Sequence, residues 1–474
     1  MPSKGVDVYA YIAVPGCAVE VSVPKHSVRL TDLRRFHKVS MEVDARAISS
    51  FFDKRGRFTF KVFHDGALVT EQWINVNALT GNASDGTMDV IAKTPAIFYR
   101  DKLAVCYGLY EAGAGHGGLP SRHQCYVTVA PIYENYIRDL APPGSPLENK
   151  PFARFVLPSP HDVGMNSMSS TEAVLKRVGG AVVAELIHNH RYITRLADAL
   201  SGRAIALLAP NIVFSLAITQ KDTLETLLRI GARYFEFRPA RLHKSIIPTG
   251  ALTPAERHYF QHSAIPGMPY DEFLRGVVSF LRSHPAEIIV IQLRWDGVPT
   301  DVCTPPTAEE KRRHLDDALR GSDIVAGNLD DMRRKTVAQL RKDKKRLIVL
   351  DSVDSLSTYG DDTYATLNGD SILASLPGVL KKENQRGKAF VNIQCQATPS
   401  NIPKAVAHSV LEAGSTNSCL LATKGICDHK ILPWVRDNVL NTIELDHLVV
   451  LMNDWLEGAT VDVAARLSKQ RLER

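Results

Sequence analysis

From about residue 150 to the C-terminus, short apolar runs alternate with segments of helical periodicity. The run at 287–293, EIIVIQL, is almost entirely apolar, which is typical of a strand buried on both faces of a parallel sheet. The preceding segment at 270–283 has its apolar residues on one face, as expected of a helix that covers such a sheet. Strands and helices that alternate over this length predict an α/β fold, a TIM-like (β/α) barrel spanning residues 151–474.

Residues 1–140 have a different pattern, in which short β-forming runs are separated by turn-forming residues. Strands at this spacing predict an antiparallel β-sandwich-like domain. The run APPGSP at 141–146 predicts a linker over residues 141–150, because Pro and Gly interrupt regular structure. The stretch GAGHGG at 113–118 lacks a strand before it and a helix after it, so we do not interpret it as a phosphate-binding loop. The predicted strands lie at 6–14, 58–63, 68–76, 88–92 and 103–110.

The composition is that of a soluble globular protein, with 45% hydrophobic and 23% charged residues. The net charge of +6 is dispersed along the chain, which is compatible with a peripheral contact to an anionic membrane surface and does not indicate a nucleic-acid partner. The seven cysteines lack the spacing of a metal site or a disulfide framework, which is typical of a reducing compartment. We identify no signal peptide and no transmembrane segment, and we expect a cytoplasmic protein that associates with membranes only peripherally.

Polar side chains occur at the predicted C-terminal ends of several strands, where barrels of this kind carry their functional groups. Two histidines, an arginine and carboxylates at one rim are the groups that phosphodiester cleavage needs. One imidazole accepts a proton from the attacking oxygen, the other protonates the leaving oxygen, and the guanidinium stabilises the phosphate. Some of these patterns also have a purely structural explanation. An Asp that follows a His is common at the start of a helix, and a Glu and an Arg on the same face of a strand can form a structural ion pair. The candidates are His161, Asp162, Glu236, Arg238, His262, Arg294, Asp296, Asp351 and Asp454.

Six segments of this region occur in an order that carries a family resemblance. They are LPSPHDVGM (157–165), AITQ (217–220), GARYFEFR (231–238), FQHSAIPG (260–267), FLRSHPAEIIVIQL (280–293) and VVLMNDWLEG (449–458). Together they resemble the phosphatidylinositol-specific phospholipase C X-domain family, in its metal-independent bacterial and fungal form. The resemblance implies a barrel phosphodiesterase that cleaves a phospholipid or a related phosphodiester without a metal or another cofactor.

The resemblance also implies a role for each matched residue. His161 would be the general base and His262 the general acid, while Arg238 would contact the phosphate. Asp454 would support His161, and Asp162 would hold His262 and the arginine.

Two of these assignments have alternatives. His258 lies in the same loop as His262 and is the other candidate for the acid. Asp446 competes with Asp454 for the last carboxylate, but it precedes the last strand and is expected at the opposite end of the barrel.

Residues that contact the substrate are expected at the same rim. Arg294 matches a basic substrate-contacting position of the bacterial members, and Glu236 and Asp296 are further candidates. The calcium-dependent branch of the family has an acidic ligand where this chain has Arg238, whose charge would repel a divalent cation, so no metal is expected. At 394–397 the chain reads Gln-Cys-Gln-Ala, whereas bacterial members follow the Gln with Asp-x-Tyr to grip inositol, so the head group stays open.

Two other functions remain open. A lipid- or glycan-binding protein with a catalytically silent barrel would agree with the altered inositol motif and with the separate β-rich domain. A metal-dependent glycerophosphodiesterase would need carboxylates clustered around Mg²⁺ or Ca²⁺, which Arg238 disfavours. His188 and His190 lie in a predicted helical segment without metal-ligand partners, and we interpret them as surface residues.

Overall fold

The protein is a mixed α/β structure in which β-sheets dominate the N-terminal part and helices accompany the sheets after it. The histidine pair at 188 and 190 and most of the strand predicted at 88–92 lie outside the described residues. The parts of the chain that the computed structural model describes are residues 4–50, 52–88, 94–166, 214–215, 217–247, 257–359, 368–397 and 418–474.

The N-terminal strands form two sheets packed face to face, each with five strands among the described residues. Val8, Phe60 and Val127 are fully buried between the sheets, because alternate residues of each strand point inward. The strands are β1 (Gly5–Ile12), β2 (Cys17–Val23), β3 (His26–Leu30), β4 (Phe36–Glu42), β5 (Arg55–His64), β6 (Ala67–Asn77), β7 (Ala83–Gly86), β8 (Ile97–Tyr99), β9 (Leu103–Tyr110) and β10 (His123–Pro131). Their order is β4-β1-β10-β9-β8 in one sheet and β3-β2-β5-β6-β7 in the other.

One strand pair of the sandwich differs from the antiparallel arrangement that we predicted. β1 and β10 are parallel, with Val6 opposite His123 and Ile12 opposite Val129. The other named pairs of these two sheets are antiparallel. Apolar alternation has the same period in parallel and antiparallel strands, so the residue pattern does not reveal the direction of a partner.

Strands after residue 150 form three further sheets in the described part of the chain. β11, β20 and β19 are parallel neighbours, as are β12, β16, β18 and β17, whereas β13, β14 and β15 form a small antiparallel sheet. The strands are β11 (Val156–Pro160), β12 (Tyr234–Phe237), β13 (Pro239–Arg241), β14 (His258–His262), β15 (Ile265–Pro269), β16 (Ile289–Leu293), β17 (Ala326–Gly327), β18 (Leu347–Asp351), β19 (Phe390–Gln394) and β20 (Leu448–Asn453).

The two parallel sheets contact each other but do not close into a barrel within the described ranges. The Arg233 N–H donates to the Pro158 carbonyl oxygen (3.0 Å), which joins the edges of β11 and β12. A single parallel bridge pairs Ser357 with Phe390 beside β19. Parallel sheets are thus observed where the closed barrel was predicted, and the C-terminal ends of β11, β12, β16 and β20 meet at one rim.

Amphipathic and buried helices cover these sheets. The predicted amphipathic helix is confirmed as α3, whose residues Phe273, Val277 and Leu281 are buried against the strands. No helix in the described part of the chain has the length and apolar character that crossing a bilayer requires. The helices are α1 (Tyr136–Leu140), α2 (Leu224–Ile230), α3 (Tyr270–Ser283), α4 (Ala308–Leu319), α5 (Leu329–Arg334), α6 (Val337–Lys342), α7 (Asp370–Val379), α8 (Lys382–Gln385), α9 (Cys419–Thr442) and α10 (Gly458–Glu473).

Buried carboxylates attach the N-terminal sandwich to the rest of the chain. Asp462 of α10 accepts hydrogen bonds from the Tyr11 hydroxyl (2.7 Å) and the Tyr133 hydroxyl (2.6 Å). Glu287, which is fully buried, accepts from Arg233 Nε (2.6 Å) and from the backbone N–H groups at the start of α1. These contacts fix the segment between the sandwich and β11, so the two parts are held as neighbours.

Candidate active site

His161 and Asp162 form the turn that follows β11. The His161 N–H donates to the Asn453 carbonyl oxygen (3.0 Å), and the parallel pairing places Pro160 opposite Asn453. Asp162 has a left-handed backbone with φ of 47°, a region that non-glycine residues seldom occupy. The turn therefore leaves the sheet sharply, at the end of the β11–β20 pair.

Asp454, the first residue after β20, is the direct partner of His161. Its Oδ1 lies 2.7 Å from His161 Nδ1, which leaves Nε2 of the imidazole directed at the other groups of the site. Asp446, the competing candidate, precedes β20 and is paired with His447 (2.8 Å) at an exposed position. The structure thus brings Asp454 to the site and places Asp446 outside it.

Arg238 follows β12 and is almost completely buried among carboxylates. One terminal nitrogen, Nη2, lies 3.3 Å from Asp162 Oδ1, 3.5 Å from Glu236 Oε1 and 3.6 Å from Asp296 Oδ2. Glu236 is fully buried, and its Oε1 also accepts the Asp162 backbone N–H (3.2 Å). The guanidinium therefore neutralises a group of acids that would otherwise repel one another.

His262 reaches the site from the end of β14, in the hairpin with β15. Its Nε2 lies 3.5 Å from Asp162 Oδ2, whereas Arg238 is close to the other oxygen of that carboxylate, Oδ1. A Cβ added to Gly164 would lie 2.2 Å from Phe260, so the hairpin packs this closely on the turn after His161 only because residue 164 has no side chain.

His258, the alternative acid, is placed elsewhere. It is fully buried at the start of β14, and its Nδ1 lies 3.0 Å from His314 Nε2. Burial and the neighbouring His314 lower the pKa of His258 to about 4. The geometry therefore favours His262 as the second histidine of the site.

Arg294 and Asp296 follow β16 and extend the site. Arg294 Nε donates to Asp296 Oδ1 (2.8 Å), and its Nη1 lies 3.5 Å from Glu236 Oε2. The guanidinium carbon of Arg294 lies 3.5 Å from the ring centroid of Tyr359, and its Nε is 3.5 Å from Asp354 Oδ1. Sequence reasoning missed Tyr359 and Asp354, because neither belongs to a recognised motif.

Two other predicted positions do not join this group. Asp351 ends β18 and forms an ion pair with Lys311. The segment at 394–397 is buried in and after β19 and has no tyrosine.

The two histidines of the site differ in protonation. Burial lowers the pKa of His161, but the carboxylates of Asp162, Asp454 and Glu236 outweigh it and raise the pKa to about 10. Burial, together with the positive charges of Arg238 and His161, lowers the pKa of His262 to about 3. At neutral pH, His161 therefore carries a proton and His262 does not.

A divalent cation would find one set of ligand atoms among the described residues. His161, Asp162 and Glu236 each offer one atom, and these atoms lie within 4.8 Å of one another. Burial raises the pKa of Glu236, which disfavours its charged form. Arg238 already occupies the centre of the acidic group, with its guanidinium near oxygens of both acids. The donor set fits a metal poorly, because the cation would have to displace or tolerate this charge.

Comparisons with known proteins leave the family open. No family model and no curated protein matches the sequence. Among solved structures, a variant of the phosphatidylinositol-specific phospholipase C from Staphylococcus aureus is 13% identical over 67% of this chain and 93% of that chain, with a TM-score of 0.40. The enzyme of that name from Listeria monocytogenes is 13% identical over 71% of this chain and 98% of that chain, with a TM-score of 0.38. We therefore base the functional assignment on the side chains of the site.

Proposed function

We propose that the chain is a phosphodiesterase of the phospholipase C type, which cleaves a phospholipid or a related phosphodiester. The observation that carries this proposal is the arrangement around Asp162. Arg238 lies 3.3 Å from one of its carboxylate oxygens, while His262 and His161 lie 3.5 and 3.7 Å from the other. Two imidazoles and a guanidinium around one position suit a reaction in which protons move to and from oxygens attached to an anionic phosphorus.

In the proposed reaction, a hydroxyl of the substrate head group, or water, attacks phosphorus. His161 Nε2 takes the proton of the attacking oxygen, because Nδ1 is engaged by Asp454 (2.7 Å). The bond from phosphorus to the lipid alkoxide breaks, and His262 supplies the proton that the leaving oxygen needs. Arg238 stabilises the charge on the non-bridging oxygens. Attack by a head-group hydroxyl gives a cyclic phosphate and diacylglycerol.

The protonation of the two histidines bears on which of them is the base and which is the acid. Acid–base catalysis requires one protonated histidine, the acid, and one unprotonated histidine, the base. The pKa values provide one of each, but they place the proton on His161, the proposed base. A phosphate bound at Arg238 would raise the pKa of His262 by offsetting the arginine charge. The proposed roles require that His262 carries the proton when the substrate is bound. If His161 keeps the proton instead, His161 is the acid and His262 is the base.

A substrate analogue with a sulfur leaving group separates these two assignments. A thiolate departs without protonation, so loss of the general acid matters much less for this analogue than for the natural ester. We expect His262→Ala to lose about 10²–10⁴-fold on the oxygen ester and far less on the sulfur analogue, while His161→Ala loses similarly on both. The opposite result would make His161 the acid.

The direct test of the proposal compares purified wild type with His161→Ala on phosphatidylinositol vesicles in the presence of EDTA. We expect turnover by wild type and a loss of about 10²–10⁴-fold in the variant. His258→Ala is the matched control, since it removes a buried histidine of the same hairpin that lies outside the site. If wild type cleaves no phospholipid and no glycerophosphodiester, the proposal is wrong. Vesicle binding that survives in His161→Ala and His262→Ala would then favour a lipid-binding protein.

A metal-dependent glycerophosphodiesterase is the second candidate, because His161, Asp162 and Glu236 offer three ligand atoms. Arg238 argues against it through its contacts with both acids. Activity that disappears with EDTA and returns with Ca²⁺ or Mg²⁺ would replace the first proposal with this one.

For the fold, we infer a TIM-like barrel in which the two parallel sheets are consecutive parts of one wall. The backbone bond from Arg233 to Pro158 supports this inference, because it joins the edge strand β11 of one sheet to the edge strand β12 of the other. On the other side, the bridge from Ser357 to Phe390 brings the segment after β18 against the edge strand β19. An experimental structure with an open gap between these edges would contradict it.

A further inference from the structure

Thr219 and Gln220 lie between the turn of His161 and the turn of Asp454, and no step of the proposed reaction uses them. Both side chains are buried. Burial of a carboxamide destabilises the folded state unless its N–H and oxygen groups are hydrogen-bonded. The hydrogen-bond partners of Gln220 therefore indicate its role.

The Gln220 carboxamide bonds to both turns. Its Nε2 donates to the carbonyl oxygens of His161 (3.0 Å) and Asn453 (3.0 Å). Its Oε1 accepts the backbone N–H of Leu456 (2.8 Å). One planar group therefore fixes residue 161 in the first turn and residues on both sides of Asp454 in the second.

Thr219 makes a second set of bonds to the same turns. Its hydroxyl lies 2.9 Å from the His161 carbonyl oxygen and 3.1 Å from that of Asp162. Its own carbonyl oxygen accepts the backbone N–H of Trp455 (2.7 Å). Adjacent residues of one segment thus bond to consecutive residues of each turn.

Each turn contains a residue with a left-handed backbone, Asp162 with φ of 47° and Trp455 with φ of 48°. Residues other than glycine keep this conformation only where surrounding contacts impose it. Apart from the bond to the Asn453 carbonyl oxygen, the bonds from Thr219 and Gln220 are made at these residues or directly beside them. The segment therefore supplies contacts that hold both turns in shape.

We propose that Gln220, assisted by Thr219, is a positioning residue that holds the two turns at the separation required for the His161–Asp454 hydrogen bond. Its three hydrogen bonds all go to backbone groups of the two turns, so it acts on the reaction through the placement of the imidazole. Its effect on turnover rests on the proposed function, whereas its effect on the His161–Asp454 contact does not.

The test replaces Gln220 by Met, which has a similar length but none of the three hydrogen bonds. Gln385→Met is the matched control, because Gln385 is also buried and donates to two backbone carbonyls (2.7 and 3.1 Å) away from the site. The first measurement is the NMR signal of the proton between His161 Nδ1 and Asp454, assigned by its absence in His161→Ala. The second is kcat and KM on phosphatidylinositol vesicles, with thermal unfolding recorded for each variant.

We expect Gln220→Met to lose or shift the His161 signal and to lower kcat at least tenfold, with a smaller change in KM. Gln385→Met is expected to be destabilised comparably while it keeps the signal and the wild-type kcat. A Gln220→Met variant that retains the His161 signal overturns the proposal, whether or not the wild type has phosphodiesterase activity.

If Gln220→Met does not fold, Thr219→Val tests the same proposal. This substitution is nearly isosteric and removes only the hydroxyl bonds to the first turn. A weakened His161 signal in a folded Thr219→Val protein supports the proposal, and an unchanged signal contradicts it.

Discussion

Replacing Asp454 by Asn should lower the pKa of His161, and this can be measured without a substrate. Asp454 Oδ1 lies 2.7 Å from His161 Nδ1, whereas Asp162 and Glu236 lie 3.7 and 3.8 Å from Nε2. The substitution keeps a hydrogen-bond acceptor at the same position and removes the negative charge. The change in pKa therefore reports the electrostatic part of the contact.

The expected size follows from the charges around the imidazole. The pKa of His161 is about 10 in the folded chain against 6.5 for an unperturbed imidazole, a preference for the protonated form of ~5 kcal/mol at 1.36 kcal/mol per pKa unit. Three carboxylates share this effect, and a single opposite charge at this range changes a pKa by about 1–3. We therefore expect a pKa of about 7–9 for His161 in Asp454→Asn.

The assay is a ¹H–¹⁵N NMR titration of the histidines in wild type, Asp454→Asn and Asp446→Asn. Asp446 is the matched control, because it is an exposed aspartate at the other end of β20 that contacts His447. In Asp446→Asn the pKa of His161 should be unchanged. A wild-type His161 that titrates near 6.5, or an Asp454→Asn variant whose His161 pKa does not fall, would refute the reasoning.

The same contact predicts how stability depends on pH. A histidine whose pKa is raised by folding stabilises the folded state fully below the unfolded pKa, and this contribution is lost as pH rises through the folded pKa. For His161 the window runs from about 6.5 to about 10. The free energy of unfolding of wild type should therefore exceed that of Asp454→Asn most clearly near pH 6, with a difference that shrinks as pH approaches 10.

Three further substitutions test the fold and the site. Glu287→Ala should lower the free energy of unfolding by about 3–5 kcal/mol in a denaturant titration, because it removes the carboxylate that pairs with the buried Arg233. The control Glu309→Ala, on an exposed face of α4, should change the free energy of unfolding little. Gly164→Ala should cost about 1–3 kcal/mol in the same titration, since its Cβ would overlap the ring of the neighbouring strand, whereas Gly378→Ala meets nothing within 4 Å and should be nearly neutral. Arg294→Lys should raise KM more than it lowers kcat, because lysine loses the planar stacking on tyrosine; equal effects on both would place Arg294 in the reaction itself.

The site residues at the strand ends could be predicted from the sequence, because the pattern that marks them involves only neighbouring residues. An apolar run followed by a polar residue marked His161, Arg238 and Asp454, and the structure brings these three residues to one rim. The choice of Asp454 over Asp446 also followed from position alone, since only one of them lies after its strand.

The residues that sequence reasoning missed depend on tertiary structure. Tyr359 stacks on Arg294 from a segment after β18, and no periodicity links the two positions. Gln220 was part of a recognised motif, but its role requires two turns that lie far apart along the chain to meet at one carboxamide. The direction of β10 beside β1 was missed for a similar reason, because strand pairing partners are not encoded in strand periodicity.

The parallel pairing of β1 with β10 has a consequence for the order in which the chain folds during synthesis. β1, the first strand of the sandwich, pairs with β10, the last one. The sheet that contains both strands can therefore be completed only after residue 131 has left the ribosome. The following part repeats this arrangement, since β11, its first strand, pairs with β20, its last. Contacts of such long sequence separation make folding slow. While translation proceeds, they leave unpaired the edge of β1 opposite β4 and then the edge of β11 that later pairs with β20. The sandwich strands β1 to β10 all precede β11 in the chain, so they are synthesised before the strands that carry the candidate active site.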